Sequence, residues 1–236
     1  MGSTTVSPAE VARFDALAAE WWNPNGPMRP LHQMNPARVG WIAERIARRF
    51  PDPAMVRVLD VGCGAGLAAE ALARRGFDVL GLDAAADTIA AAEAHAAGQI
   101  LRLAYRTGAP EDLAAEGLRF QVVMALEVVE HVADPVAFAS TLAALVQPGG
   151  LVFLSTLNRT ARSFLSAKVG AEYLLRWLPV GTHDWRKFIT PVELAALLRH
   201  AGLRVTDVTG LVPDPLRGGW RTAPAMAVNY LLLAEA

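Results

Sequence analysis

The residues from Asp60 to Gly66, Asp-Val-Gly-Cys-Gly-Ala-Gly, combine three closely spaced glycines with a carboxylate. They end a predicted buried strand and open a predicted helix. Glycines at such a turn let the backbone approach a ligand closely, and the start of the helix offers unpaired N–H donors. The next predicted strand ends at Asp83, 21 positions after Gly62, where a carboxylate can accept hydrogen bonds from a ribose diol. This order of features predicts a nucleotide-type site rather than a glycine turn that only reverses the chain.

A second group of chemically capable side chains follows the fourth predicted strand. Glu127, Glu130 and His131 have the spacing i, i+3 and i+4, which places them on one side if the chain turns helical there. Two carboxylates and an imidazole could hold a divalent cation or accept a proton. Magnesium prefers oxygen ligands, so the carboxylates suit it better than His131, for which general base is the alternative role. A purely structural reading, with the acids capping a helix over a packed His131, stays open.

The elements that must position these residues alternate between short apolar runs and Ala/Leu-rich stretches. We predict five strands, at Val56–Val61, Asp78–Asp83, Leu101–Thr107, Phe120–Glu127 and Gly150–Thr156. Helices are predicted at Leu67–Arg75, Ala85–Ala97, Asp134–Val146 and Pro191–Ala201, and closing strands at Leu203–Thr209 and Val228–Ala234. Gly76 and Gly98 are placed as C-caps with positive φ. The pattern is typical of an α/β fold, a doubly wound and mainly parallel sheet of seven strands with helices on both faces.

Composition sets wider limits. The 236 residues suit a single domain spanning 1–236, with an N-terminal helical segment at 1–50 that includes an amphipathic stretch, Pro8–Trp22, and a helix near Pro36–Arg49. A net charge of −1 argues against a nucleic-acid partner, and a lone cysteine excludes intrachain disulfides. The apolar run Pro135–Asn158 is interrupted by Pro148, Gly149 and Gly150, so no spanning helix is expected. These observations predict a cytoplasmic protein.

Two ligand types compete for the glycine turn. Dinucleotide-binding proteins use the spacing G-x-G-x-x-G to hold a pyrophosphate, whereas this chain has G-x-G-x-G with Asp60 two residues before the first glycine. That arrangement resembles the first motif of class I methyltransferases that use S-adenosylmethionine (SAM). Their Rossmann-like fold binds a ligand with a cationic amino-acid end, which an acid suits.

Further segments narrow the resemblance to the ubiquinone-biosynthesis O-methyltransferase family, over most of the chain from Phe14 to Tyr230. They are FDALAAEWW from Phe14, PLH from Pro30, NPAR from Asn35, EVVEHV from Glu127, STLNR from Ser155, GTHD from Gly181 and VNY from Val228. Two departures are Ala65, where many members carry a further glycine, and Leu126, where methionine is common. Both should be tolerated, because backbone contacts and apolar packing against adenine remain available.

The resemblance implies SAM as methyl donor and the fold of the class I enzymes. It implies two phenolic substrates at separate steps, 2-polyprenyl-6-hydroxyphenol and 3-demethylubiquinol. The site it implies places Gly62 and Gly64 at the close backbone approach and Asp60 near the cationic end of SAM. Asp83 would contact the ribose, Leu126 the adenine, and Arg38 the SAM carboxylate, which its planar fork matches. It also associates a magnesium ion with Glu127, Glu130 and His131.

The chemistry explains why such a cluster would be useful. A phenol titrates near about 10 and a histidine near about 6.5, so proton transfer to a free histidine is uphill by about 5 kcal/mol. A cation on the phenolate could cover much of that gap. We therefore expect His131, Glu127 and Glu130 to be the catalytic residues. Of the other histidines, His95 and His200 are expected on solvated helix faces, while His32 and His183 could lie near the substrate or only bond locally.

The segment 159–187 is a basic, apolar insertion after the fifth strand. It carries a net charge of +4, which leaves −5 on the remaining chain. A helix from about Ala161 to Leu178 would have one narrow polar stripe and a wide apolar face, including Phe164 and Trp177. We expect a substrate lid that also contacts an anionic membrane surface as a peripheral protein, with a helix buried against its own domain as the alternative.

Two other functions remain open at this point. One keeps SAM but transfers its methyl group to another phenolic or small-molecule acceptor. The other is a non-catalytic, SAM-binding subunit of a membrane-associated complex of ubiquinone biosynthesis. The combination of Asp60, Gly62 and Asp83 with the cluster after strand four argues against the second.

Overall fold

An eight-stranded mixed sheet organises the molecule. The computed structural model describes residues 4–164, 185–216 and 218–236. The strands are β1 (Arg57–Val61), β2 (Asp78–Asp83), β3 (Leu103–Thr107), β4 (Phe120–Leu126), β5 (Val146–Leu157), β6 (Arg204–Pro213), β7 (Trp220–Ala223) and β8 (Asn229–Glu235). Their order is β3-β2-β1-β4-β5-β8-β6-β7. β1 to β5 pair in parallel, and the remaining pairs, β5 with β8, β8 with β6 and β6 with β7, are antiparallel.

The helices cover both faces of this sheet. They are α1 (Pro8–Asp15), α2 (Arg29–Arg49), α3 (Leu67–Ala73), α4 (Ala86–Ala96), α5 (Pro110–Ala115), α6 (Pro135–Leu145), α7 (Ala161–Ser163) and α8 (Pro191–His200). One core packs α2 and α3 against the sheet, for example through Ile42 and Leu72. The other packs α5, α6 and α8, for example through Leu113, Phe138 and Leu198. The sheet is thus buried on both sides, as its apolar strands require.

The strand order brings the chemically capable residues to one edge. β1 lies between β2 and β4, so the direction of winding reverses beside β1. In open α/β sheets the crevice at this reversal, at the carboxyl ends of the strands, is where ligands bind. The glycine turn follows β1, Asp83 ends β2, and Glu127 follows β4. Three predicted site segments therefore meet at the reversal.

The predicted doubly wound α/β fold is confirmed, with differences in detail. The sheet has one more strand than expected, because β7 forms an antiparallel edge pair with β6. α5 was not predicted. α2 begins at Arg29, earlier than the predicted Pro36, since Pro30 lies in its first turn, where a missing N–H costs nothing, and Pro36 lies inside the helix. Gly76 and Gly98 have φ of 91° and 78°, as their C-cap prediction requires.

The predicted insertion helix falls largely outside the described residues. Its first turn is α7, which follows the capping residue Thr160, whose hydroxyl accepts from the Ser163 N–H. The rest of the prediction, including Trp177, concerns residues 165–184, which are not described. Across the three described ranges, no helix has both the length and the apolarity to cross a bilayer.

Candidate active site

The glycine turn is held by the end of β2. The backbone N–H groups of Gly62 and Cys63 both donate to the Leu82 carbonyl, at 2.7 and 3.1 Å. Gly62, Gly64 and Gly66 have φ of 68°, 55° and 87°, a region that favours glycine. Ala65 does not have a positive φ, so the alanine that replaces a glycine of many family members causes no backbone strain here. The loop thus carries glycine where its conformation demands it.

Asp60 and Arg38 place a buried carboxyl group and a buried guanidinium at the floor of the site. Asp60 is 2% exposed and its Oδ2 has no hydrogen-bond partner among the described atoms. Burial raises the pKa of Asp60 to about 7, although the charge of Arg38 opposes the rise. Arg38 is 4% exposed, and its Nε donates to Asn35 Oδ1 at 3.1 Å. An acceptor without a partner beside a buried guanidinium matches a ligand that carries both an ammonium and a carboxylate.

Asp83 connects the glycine turn to the start of α4. Its Oδ2 accepts from the Gly64 N–H at 2.8 Å and its Oδ1 from the Ala85 N–H at 2.9 Å. Burial raises the pKa of Asp83 above its ordinary value, and these two backbone donors oppose the rise. A carboxylate offers about four acceptor positions, so Asp83 can still accept from a ligand hydroxyl.

Glu127 lies in a strained conformation where β4 ends. With φ of 58° it is the one non-glycine residue of the described chain with positive φ, which costs of order 1–3 kcal/mol. Its Oε1 accepts from the Ser155 hydroxyl at 2.7 Å, and Asn229 Nδ2 lies 3.4 Å from Oε2. Burial raises the pKa of Glu127, against the Ser155 hydrogen bond. Strain of this kind is concentrated at functional sites.

The chain after Glu127 forms turns, so the condition of a helix there is not met; the His131 N–H donates to the Val128 carbonyl at 2.8 Å. Glu130 is 5% exposed, and its Oε2 has no hydrogen-bond partner among the described atoms. Burial and the nearby Glu127 charge raise the pKa of Glu130. Nδ1 of His131 lies 3.0 Å from Oε2 of Glu10. Burial lowers the pKa of His131, but Glu10 and Glu130 raise it by more, so the net change is upward.

The magnesium prediction is not supported by this arrangement. In the parts of the chain that the structure describes, no three His, Cys, Asp or Glu side chains are grouped so that they could hold a metal ion. The physical reason lies in the contacts. Glu127 is engaged by Ser155 and Asn229, and His131 by Glu10, so the three predicted ligands do not converge on one point.

One cavity of about 610 Å³ joins all of the predicted site residues. Its lining includes Arg38, Asp60, Gly62, Gly64, Asp83, Leu126, Glu127, Glu130 and His131. Residues 5–34, which we call the N-terminal cap, supply much of the remaining wall with apolar side chains, among them Val11, Phe14, Leu17, Leu31 and Met34. The cavity therefore combines a polar floor with an apolar roof.

Two tryptophans of the cap contact the glycine turn directly. A Cβ added at Gly64 would lie 2.2 Å from Cζ2 of Trp21, so the indole packs on the bare backbone. Trp22 Nε1 donates to the Ala65 carbonyl at 2.9 Å. In the sequence, the WW pair has meaning only as part of the family resemblance, and Glu10, Ser155 and Asn229 carry no signal of a role in the site. Ser155 and Asn229 lie in two segments of the family resemblance and Glu10 lies in α1, but their spacing along the chain does not indicate their contacts with Glu127 and His131.

The remaining histidines differ from one another. His200 is exposed at the end of α8, as predicted. His95 also reaches the surface, yet its ring stacks on Trp22 at 3.4 Å between centroids, and its Nδ1 lies 2.7 Å from the buried Glu70. Nε2 of His32 lies 2.8 Å from the Trp21 carbonyl oxygen, which matches the local hydrogen bond that was one of its two predicted roles. His183 lies outside the described residues.

Methyltransferases are among the solved structures that share this fold. Magnesium protoporphyrin IX methyltransferase from Synechocystis PCC 6803 with bound SAH matches with a TM-score of 0.65 and 18% identity, over 95% of this chain and 94% of that one. The same enzyme with bound SAM gives a TM-score of 0.63 at 17% identity, over 99% of both chains. At these identities the likeness shows the fold.

Sequence relatives are far closer. A family model described as a methyltransferase domain matches residues 32–208. A ubiquinone biosynthesis O-methyltransferase from Azorhizobium caulinodans is 50% identical, over 99% of this chain and 95% of its own length. One from Cereibacter sphaeroides is 52% identical, over 97% and 96%. With this fold, this site and relatives matched along nearly their full length, the chain belongs to the ubiquinone biosynthesis O-methyltransferase family.

Proposed function

We propose that this chain catalyses SAM-dependent O-methylation of phenolic hydroxyls on polyprenylated aromatic rings in ubiquinone biosynthesis, at the two steps that the resemblance implies. The observation that carries the proposal is the cavity of about 610 Å³, whose lining includes all nine site residues predicted from the sequence. A subunit that only binds SAM would not need the carboxyl groups of Glu127 and Glu130 and the imidazole of His131 in the same cavity as the predicted SAM site.

The polar floor suits the amino-acid end of SAM. The unpartnered oxygen of Asp60 would accept from its ammonium, and the guanidinium of Arg38 would bind its carboxylate. Asp83 would accept from the ribose hydroxyls, and Leu126 would pack on the adenine. Bound there, SAM supplies an electrophilic methyl group on sulfur.

The residues after β4 would accept the proton that the phenolic substrate loses. The phenol must lose its proton as its oxygen attacks the methyl carbon, and His131 is the group that we assign as acceptor. Its raised pKa narrows the gap to the phenol and so favours transfer. Glu127 and Glu130 would stabilise the resulting imidazolium, and the apolar roof of the N-terminal cap would hold the ring and the start of its tail.

The decisive experiment is calorimetry with SAM followed by transfer of a labelled methyl group to a prenylated catechol. We expect binding in the micromolar range typical of such substrates and a methylated product. Transfer to unprenylated phenols alone would favour the alternative, a methyltransferase for another acceptor. SAM binding without transfer to any phenol would contradict the proposed reaction and support a non-catalytic subunit.

Magnesium is a separate matter that the same assay decides. Because the described residues do not form a three-ligand cluster, we expect activity to survive exhaustive chelation. A loss that added magnesium restores would contradict this expectation and show that the reaction needs the ion.

We further propose one domain over residues 1–236 and peripheral contact with the inner face of the cytoplasmic membrane. The first is supported by the sheet, which draws strands from residues 57 to 235. The second is supported by the +4 charge and apolar sequence of residues 159–187. Charging both Phe164 and Trp177 should abolish sedimentation with anionic vesicles but not SAM binding. Unchanged sedimentation would exclude this membrane contact.

A further inference from the structure

The N-terminal helix contributes a carboxylate to the cavity beside the proposed base. Oε2 of Glu10 lies 3.0 Å from Nδ1 of His131, and the ring of Phe14, one turn later in α1, meets the imidazole edge-on at 5.5 Å between centroids. The Glu10 side chain is 19% exposed and the His131 side chain 18% exposed. The ion pair is therefore shielded from most solvent, where the attraction between a carboxylate and a protonated imidazole is stronger than on the surface. In the described structure Oε2 of Glu10 accepts no aligned hydrogen bond, so the pair is held by distance and charge.

The helix that carries Glu10 is fixed on both sides of this contact. Before it, the Thr5 hydroxyl donates to Glu111 Oε1 at 2.7 Å, and the Thr5 carbonyl accepts from the Ala133 N–H at 2.9 Å. At its end, Asp15 Oδ1 accepts from the Asp87 N–H at 3.0 Å. Ala133, which donates to the Thr5 carbonyl, lies two residues after His131 in the same turn region. Glu10 thus reaches the imidazole from a support that is tied to the segment it orients.

Other charged groups around the imidazole do not replace Glu10. Arg13 lies 3.5 Å from the Glu10 carboxylate, and Lys187 Nζ lies 4.0 Å from it, so both cations contact the acid. Glu130 acts on the ring through its charge. Among the described residues, Glu10 is the carboxylate within ion-pair distance of Nδ1.

We propose that Glu10 is a positioning residue, whose carboxylate binds the Nδ1–H of His131 and thereby leaves Nε2 as the unprotonated, basic nitrogen. A neutral imidazole has one N–H, and a free histidine favours the proton on Nε2, which would remove the lone pair needed there. A carboxylate at Nδ1 selects the opposite tautomer and stabilises the imidazolium that forms when Nε2 takes the phenol proton. The tautomer rests on the 3.0 Å contact, which a small rotation of the imidazole or the carboxylate turns into a hydrogen bond, whereas its catalytic use rests on the proposed function.

Nitrogen NMR of protein with ¹⁵N-labelled histidine, at alkaline pH where imidazoles are neutral, tests the tautomer directly. The His131 signal is assigned with His131→Ala. We expect the wild type to carry the proton on Nδ1 and Glu10→Ala to shift it to Nε2, while Glu10→Gln, whose amide oxygen still accepts, keeps the wild-type tautomer. Glu20→Ala is the matched control, because Glu20 is in the same cap and its carboxylate accepts from Asn23.

Kinetics tests the use of that tautomer. Glu10→Ala should lower kcat by about 10- to 100-fold with little change in the KM for either substrate, and Glu10→Gln should recover part of the loss. An unchanged tautomer in Glu10→Ala overturns the proposal whatever the activity, and so does an unchanged kcat in an active enzyme. A wild type that shows the Nδ1–H tautomer but methylates no phenol would instead refute the proposed function.

Discussion

Arg38 and Asp60 show how a site is made selective by what it leaves unpaired. Both side chains are buried, and neither completes its bonding with the other in the structure described. Buried polar groups without partners are costly, so a ligand that satisfies both gains affinity by removing two penalties together. From sequence alone, Arg38 had no local signal and was assigned only through the resemblance.

Replacing Arg38 should weaken SAM binding far more than it weakens folding. Loss of hydrogen bonds to a charged group costs about 1.5–3 kcal/mol, so we expect Arg38→Ala to raise the Kd for SAM by roughly 10- to 150-fold. Arg38→Lys keeps the charge but loses the planar, two-donor geometry, so its Kd for SAM should lie between those of the wild type and Arg38→Ala. Calorimetry measures both, with Arg48→Ala as the control, since Arg48 is an exposed residue of the same helix. Wild-type affinity in Arg38→Ala would contradict the assignment.

The raised pKa of Asp60 predicts pH-dependent SAM affinity. Its carboxyl has a pKa of about 7 in the free protein, and the ammonium of SAM binds only the ionised form. At low pH a proton must therefore leave first, so affinity rises with pH. The Kd should fall about tenfold from about pH 6 to about pH 8. Asp60→Asn should bind weakly with a flat profile in the same titration. A flat wild-type profile would show that Asp60 is not the ammonium partner.

At the scale of elements, β1 to β5 and the helices α3, α4 and α6 were predictable, because buried parallel strands are continuous apolar runs separated by helical stretches. The six-residue α5 was not. β7 was not, since it has four residues, one of them Arg221, and no alternating pattern. The start of α2 was displaced in the prediction because Pro36 was read as a helix start, although Pro30 already occupies the first turn. The contact of Glu10 with His131 was inaccessible because tertiary packing alone joins α1 to the turn after β4.

Two glycines offer a matched test of how the cap and the glycine turn depend on each other. Gly64 and Gly98 both have positive φ, but a Cβ at Gly64 would strike Trp21, while a Cβ at Gly98 meets nothing within 4 Å. Gly98→Ala should cost only the backbone strain of about 1–2 kcal/mol in urea unfolding. Gly64→Ala should cost more and should also weaken SAM binding, because Trp21 must move. Equal losses of stability, with SAM binding intact in both variants, would mean that the cap adapts freely.

At the scale of the whole molecule, the site is assembled from distant parts of the chain. The sheet supplies the floor, and the cap supplies the roof and two tryptophan contacts. The sequence divides in charge as well, with +4 in residues 159–187 and −5 elsewhere. Total composition hides both divisions, since it reports an apolar and nearly neutral chain.

Ligand binding should therefore stabilise the cap more than the sheet. α1 has no fully buried residue, so its amides should exchange with solvent readily in the free protein. Saturation with SAM at about 100-fold over its Kd should add about 2.7 kcal/mol to global stability and slow exchange in α1. Hydrogen exchange read by mass spectrometry measures this, with the Arg38→Ala variant as the control that the same SAM concentration should protect less. Protection limited to the sheet would contradict the prediction that SAM binding stabilises the cap.

The stack of Trp22 on His95 gives the enzyme an intrinsic optical reporter. The rings are parallel within 3° with their centroids 3.4 Å apart, so we expect the imidazole to quench the indole emission. The same indole donates to the Ala65 carbonyl, so emission from Trp22 is tied to the state of the glycine turn. In a variant that keeps Trp22 as its one tryptophan, each departure of the cap would brighten the protein, and the movement could be timed in a stopped-flow instrument without any added dye.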